Sequence, residues 1–209
     1  MDSNLIHSVA PLAGCHTLEL LALDNNCVLD YAGLEGNADL IRAIDNGSNF
    51  RYQAALETER LAKRLVEELT SDLSSDLQKE IAIYRYIIDN TEFEAGSFSE
   101  TAYGERALKT HKGVCGNYAE AFALLMNHAG IWADTVASTD HEWNVVRIDG
   151  NYYHCDVLWD ENTDIWSYFN RETSFILYTE NHFHDLLRYP VCPSEADPVS
   201  MEMAKEGLL

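Results

Sequence analysis

The stretch "HKGVCGNYAEAFALLMNHAG", His111 to Gly130, decides how the chain is read. Tyr118, Ala121, Phe122, Leu125 and Ala129 follow helical spacing, and Gly130 is placed to end the helix. Cys115 therefore falls in the first turn of a buried-face helix. There the unpaired backbone N–H groups and the positive end of the dipole favour a thiolate over a thiol. Gly113 and Gly116 leave little bulk above the sulfur, so a substrate backbone can approach. On this segment alone, a reactive cysteine and a small buried hydrophobe explain Cys115 equally well.

Beyond Gly130 the periodicity turns extended. "IWADTVAST", "HEWNVVRI" and "NYYHCDVLWD" are rich in β-branched and aromatic residues, and Asp149-Gly150 between the last two is a hairpin signal. A two-residue turn there sets Ile148 opposite Asn151. His141 and Asp156 then become diagonal neighbours on one face, within side-chain reach; a three-residue turn would send them to opposite faces. An imidazole held by a carboxylate can aim its second nitrogen at a nucleophile. Taken alone, the pair is better explained as a surface histidine beside one of many acids. A cysteine opening a helix, followed by such a hairpin, changes that balance because nucleophile, base and orienting acid fall in one unit.

Upstream, Tyr52, Ala55, Leu56, Ala62, Leu65, Val66 and Leu69 predict one amphipathic helix. Ser75 with Gln78 predicts a capping box opening a second, lined by Leu77, Ile81, Tyr84, Ile87 and Ile88 to about Asn90. "TEFEAGSFSET" reads as loop. In residues 1 to 50, "HTLELLALDNNCVLDYA" fits either two strands or a helix and a strand, and "NADLIRAI" a short helix capped by Asn37. No repeat or Pro-rich linker divides the chain. It reads as a single domain over 1–209, with 1–50 as an N-terminal extension and about 52–180 as the core.

Fourteen Lys and Arg against 35 Asp and Glu give a formal charge of −21. That field repels phosphate backbones and anionic membranes, so no nucleic acid partner is expected. Five cysteines without a C-x-x-C pair argue against a zinc ribbon or a disulfide scaffold. No apolar run is long enough to span a bilayer. "LAGC", Leu12 to Cys15, resembles a lipoprotein cleavage box but lacks a signal ahead of it, which places the protein in the cytoplasm; removal of residues ahead of Met1 would instead allow an extracellular or lipid-anchored one. His154, Cys155, His182 and His184 have no recognised ligand spacing and read as packed or surface residues. Trp132, Trp159 and Trp166 read as core or cleft wall.

"AYGERALKTHKGVCGNYAEAFALLMNHAGI" followed by "HEWNVVRIDGNYYHCDVLWD" resembles the transglutaminase-like superfamily of papain-type cysteine enzymes, bacterial members in particular. The G-x-C-x-x-Y-A, H-x-W-N and D-G-x-x-Y-x-x-D motifs occur in order. The match covers about residues 76 to 160 and continues weakly in "YFNRETSF", Tyr168 to Phe175. The resemblance implies an α+β fold with the nucleophile at the start of a helix packed on an antiparallel sheet. It implies Cys115 as nucleophile, His141 as base and acid, and Asp156 as the residue orienting the imidazole. Trp143 and Asn144 would wall and support the site. The second oxyanion donor would come from upstream of the cysteine, with Tyr103, backed by Thr101, as candidates. The Cys-to-His interval is short for the family. The expected chemistry is acyl transfer at an amide through a thioester, with hydrolysis of a peptide or protein substrate ahead of transamidation or a non-catalytic scaffold. No cofactor is expected, and no EF-hand loop or other metal site.

Overall fold

A computed structural model describes residues 9–15, 49–96, 103–161, 163 and 166–195; the side chains of 49–56 and 103 lie outside the description. The alternatives for residues 16–48, the helix at "NADLIRAI" and the tail beyond 195 therefore fall outside the described residues.

After a single 3-10 turn at Ala10–Leu12, the described chain continues with two long helices, α1 (Asn49–Thr70) and α2 (Asp76–Asn90). The predicted capping box opens α2: Gln78 N–H donates to Ser75 Oγ, and Ser75 N–H to Gln78 Oε1, each at 3.2 Å. A two-residue strand β1 (Glu92–Phe93), within the stretch read as loop, pairs in parallel with β2 (Lys112–Gly113). Between them runs α3 (Tyr103–Thr110), which hydrophobic spacing did not announce. Then α4 (Cys115–His128) ends as Gly130 takes φ +81°. An antiparallel sheet follows, β3 (Ala133–Ala137), β4 (Glu142–Ile148) and β5 (Asn151–Cys155), in the order β3-β4-β5. A short helix α5 (Thr173–Leu177) comes last.

The β4-β5 register sets Ile148 opposite Asn151 and Asn144 opposite Cys155, as a two-residue turn requires. Asp149 and Gly150 both have positive φ, +49° and +86°, which such a turn needs at both central residues. Side chains on β4 alternate between two cores. Val146 and Ile148 face α1, α2 and α4 in a layer containing Tyr84, Phe122, Leu125 and Met126. Trp143 and Val145 face Ile176 and Cys192 of the C-terminal segment. That segment joins the sheet through paired His154 and Arg171 backbones. The result is a helical layer on one face of an antiparallel sheet, the α+β arrangement expected. Trp166 packs on Tyr84 in the main core, but Trp132 is 42% exposed and lies outside both cores.

Beneath the sheet three polar side chains close a ring inside the apolar layer. Asn170 Nδ2 donates to Glu80 Oε2 at 2.8 Å, and Cys155 Sγ donates to Asn170 Oδ1 at 3.3 Å. Glu80 Oε1 lies 3.5 Å from the same sulfur. Burial, only partly offset by these bonds, pushes the Glu80 carboxyl up to about 8. The unfolded chain releases this proton near the ordinary 4.5 while the folded chain keeps it. The contribution is therefore fully present below that value and is lost as pH rises toward 8. Glu80→Gln keeps the shape and the neutral charge. We expect it to flatten the fall in Tm between pH 5 and 8 and to stabilise the protein at pH 8 by an amount on the order of a few kcal/mol. Parallel Tm profiles for the two proteins would refute this.

Candidate active site

The start of α4 is held by local bonds. Asn117 Oδ1 accepts from Val114 N–H at 2.9 Å, and Asn117 N–H donates back to Val114 O at 2.9 Å. Gly113 is required by this packing, since a Cβ there would lie 2.4 Å from Asn117 Cβ. Gly113→Ala should cost about 1–3 kcal/mol through this overlap and shift the first turn of α4, a loss readable in chemical denaturation. Behind it, Gly104 lets α3 approach closely, where a Cβ would sit 3.0 Å from Ala121 N.

Cys115 is the half-buried residue opening α4, whereas Cys155 and Cys192 are buried and Cys15 is exposed; Cys27 lies outside the described residues. His141 immediately precedes β4 and Asp156 immediately follows β5, so the hairpin register brings them together. His141 Nε2 lies 2.5 Å from Asp156 Oδ2. Its ring also hydrogen-bonds the Cys115 sulfur. With Nε2 taken by the carboxylate, Nδ1 is the nitrogen left for sulfur. Burial alone would lower the basicity of this imidazole; the bonds and charges of Asp156 and Cys115 outweigh it and push the ring up to about 9.

Asp156 is itself fully engaged. Oδ1 accepts from Trp159 N–H at 3.1 Å, and Oδ2 also lies 2.8 Å from His182 Nε2. Burial works against its charge, but the His141 and His182 bonds prevail and hold the carboxyl below the usual range. Its backbone is pinned as well. Asp156 N–H donates to Tyr168 O at 3.1 Å, and Tyr84 Oη lies 2.8 Å from both Asp156 O and Asp160 Oδ2. Asp160, buried and pushed up to about 7, accepts from Ser167 N–H at 2.7 Å.

Trp143 stacks on His141, ring centroids 5.9 Å apart and planes 13° apart, and donates Nε1–H to His154 Nδ1 at 3.1 Å. Asn144 is buried and ties β4 to α4, Nδ2 donating to Ala119 O at 2.8 Å and facing Asp134 O at 3.3 Å. Trp159 lies over His141 at 5.6 Å. Tyr103 opens α3, but its side chain, like all of Thr101, lies outside the described residues. The spacing of motifs did not single out His182. In the structure His182 and His184 are buried while Phe183 between them is 80% exposed.

The ligand atoms of His141, Asp156 and His182 lie within 4.8 Å of one another, close enough to resemble a metal cluster. Their separations of 2.5 and 2.8 Å are those of hydrogen bonds, however; two ligands on a tetrahedral zinc stand roughly 3.3 Å apart. Cys155 points into the opposite core, away from His154, His182 and His184.

Residues 63–164 match the family model of the transglutaminase-like superfamily. Among solved structures, the chain is similar to one from Cytophaga hutchinsonii named a "putative cysteine protease", at 21% identity and TM-score 0.42, covering 48% of this chain and 37% of that one. It is similar to a "putative protease" from Parabacteroides distasonis at 19% identity and TM-score 0.37, covering 48% and 25%. It is also similar to a structure named as a TGase at 16% identity and TM-score 0.46, covering 77% and 48%. The match thus spans less than half the length of each of these proteins. No curated protein matches the chain. No helix among the described residues is long and apolar enough to cross a membrane.

Proposed function

We propose that the chain, whose residues 63–164 match the family model of the transglutaminase-like superfamily, is a cysteine-dependent acyl-transfer enzyme acting on amide bonds, with Cys115, His141 and Asp156 as its triad and about 52–180 as its catalytic core. The observation that carries this reading is the doubly engaged His141, bonded to Asp156 at 2.5 Å and to the Cys115 sulfur.

In the proposed reaction the Cys115 thiolate attacks the amide carbonyl carbon. A backbone N–H in the first turn of α4 is available to the oxyanion, and Tyr103, with Thr101 behind it, is the proposed second donor. As the C–N bond breaks, His141 gives its proton to the departing amine, leaving a thioester on Cys115. His141, now neutral, takes a proton from water; the resulting attack breaks the C–S bond and releases the acid. Asp156 holds the ring in the required tautomer, Trp143 forms one wall, and Asn144 fixes β4 against α4. Hydrolysis is the preferred outcome because water is the default acceptor; an amine in its place would make the enzyme a transamidase after the same first half-reaction.

The test is to incubate the protein with a peptide library, quench in acid and read the adduct by mass spectrometry. An acyl group in thioester linkage at Cys115 supports the reading. Complete absence of adduct across the library, with the protein folded, would favour a scaffold that does not turn over.

A further inference from the structure

Asp156 carries two imidazoles on one oxygen: Oδ2 lies 2.5 Å from His141 Nε2 and 2.8 Å from His182 Nε2. The triad uses only the first. The second belongs to a fully buried ring whose protons can be assigned from its partners. His182 Nδ1 lies 2.7 Å from the carbonyl oxygen of Glu180, which can only accept, so Nδ1 carries a hydrogen. Nε2 faces an ionised carboxylate, which also can only accept, so it carries a hydrogen as well. With both nitrogens protonated, His182 is an imidazolium.

The neighbour that favours that charge is the Asp156 carboxylate. Asp156 faces it from the end of β5, and His141 lies 4.9 Å away between ring centroids. His184 donates Nδ1–H to His182 O at 2.9 Å, which fixes the backbone. His154, on β5, is neutral: burial first, then the charges of His184 and His182, push it down to about 3. The rings of Trp143, Trp159 and Tyr168 close the remaining sides at 4.8, 4.7 and 5.6 Å. The Asp156 carboxylate lies between the two rings, bonded to both through Oδ2. The turn presenting the ring is built for it, Asn181 taking φ +65° to bring His182 inward.

We infer that His182 is a positioning residue of this site: a second, cationic donor that fixes Asp156 Oδ2, and so keeps His141 bonded through Nε2 with Nδ1 turned to Cys115. The inference rests on the proposed triad. Without the His182 bond, Asp156 can rotate and its grip on His141 loosens. By analogy with the partners that orient metal-ligating side chains, whose loss costs about 10–100-fold, an effect at the lower end of that range is expected.

The test has two arms on the full chain. First, ¹⁵N-histidine NMR at pH 7, with His182 assigned by its loss in His182→Gln, should show both ring nitrogens protonated; a neutral ring with one bare nitrogen overturns the inference. Second, the rate of Cys115 alkylation by iodoacetamide is compared across variants. His182→Phe, which keeps ring volume and removes the donor, should slow it about 10-fold, and His182→Gln, which keeps an N–H, should recover most of the loss. In an Asp156→Asn background His182→Phe should change nothing further. An unchanged rate in His182→Phe, or a further multiplied loss in the double variant, contradicts positioning through Asp156. Wild-type Cys115 reacting no faster than the other thiols would instead overturn the triad itself, an outcome distinguishable from the rest. Should His182→Phe fail to fold, the NMR arm and His182→Gln still decide.

Discussion

Cys115→Ala is expected to lower turnover by about 10⁵- to 10⁶-fold, the scale of removing a nucleophile from a concerted triad. The fold should survive. Alanine is a better helix former than cysteine at a position inside a first turn, and Cys115 is half-buried, outside both cores. The measurement is kcat on whichever peptide forms the trapped thioester, alongside the thermal transition. An active Cys115→Ala protein would end the assignment of this residue as nucleophile.

His141→Ala should be as severe, and Asp156→Asn roughly a hundredfold milder, because in the proposed triad nucleophile and base would act as a unit while the acid orients. The pH dependence carries the sharper signature. The His141 ring is pushed up to about 9, so at neutral pH it remains an imidazolium able to hold a thiolate and protonate the leaving amine. Activity should therefore fall as pH rises through about 9. The same shift stabilises the folded chain: its contribution is full below the ordinary 6.5 and lost as pH climbs through 9. Asp156→Asn removes one of the groups raising the ring, so the alkaline limb of kcat/KM should move to lower pH. A limb that stays in place in Asp156→Asn would mean that another group titrates there.

The candidate site was legible where it depended on local pattern. Helical spacing after Cys115 placed the sulfur in a first turn, and Asp149-Gly150 fixed a register in which even a one-residue slip would have separated His141 from Asp156. Capping chemistry at Ser75 and Gln78 was equally local. The parts that escaped are those decided by tertiary contact. The α3 helix has no long apolar stripe of its own and depends on a close approach to α4 at Gly104. His182 reaches Asp156 from a C-terminal segment of turns, where no periodicity announces a side chain's destination. Trp132 differs again: a large aromatic in a strand-like run suggests core or cleft wall, and the core alternative falls because the ring is 42% exposed and lies against Tyr152.

The most direct measurement of the Cys115–His141 pairing is competitive alkylation at pH 7, with limiting iodoacetamide and site-by-site quantification. Cys15 supplies an internal reference, being exposed, while Cys155 and Cys192 supply buried ones. Cys115 is expected to react on the order of a hundred times faster than Cys15, because a thiolate paired with an imidazolium is the reactive species. Equal rates at Cys115 and Cys15 would contradict it.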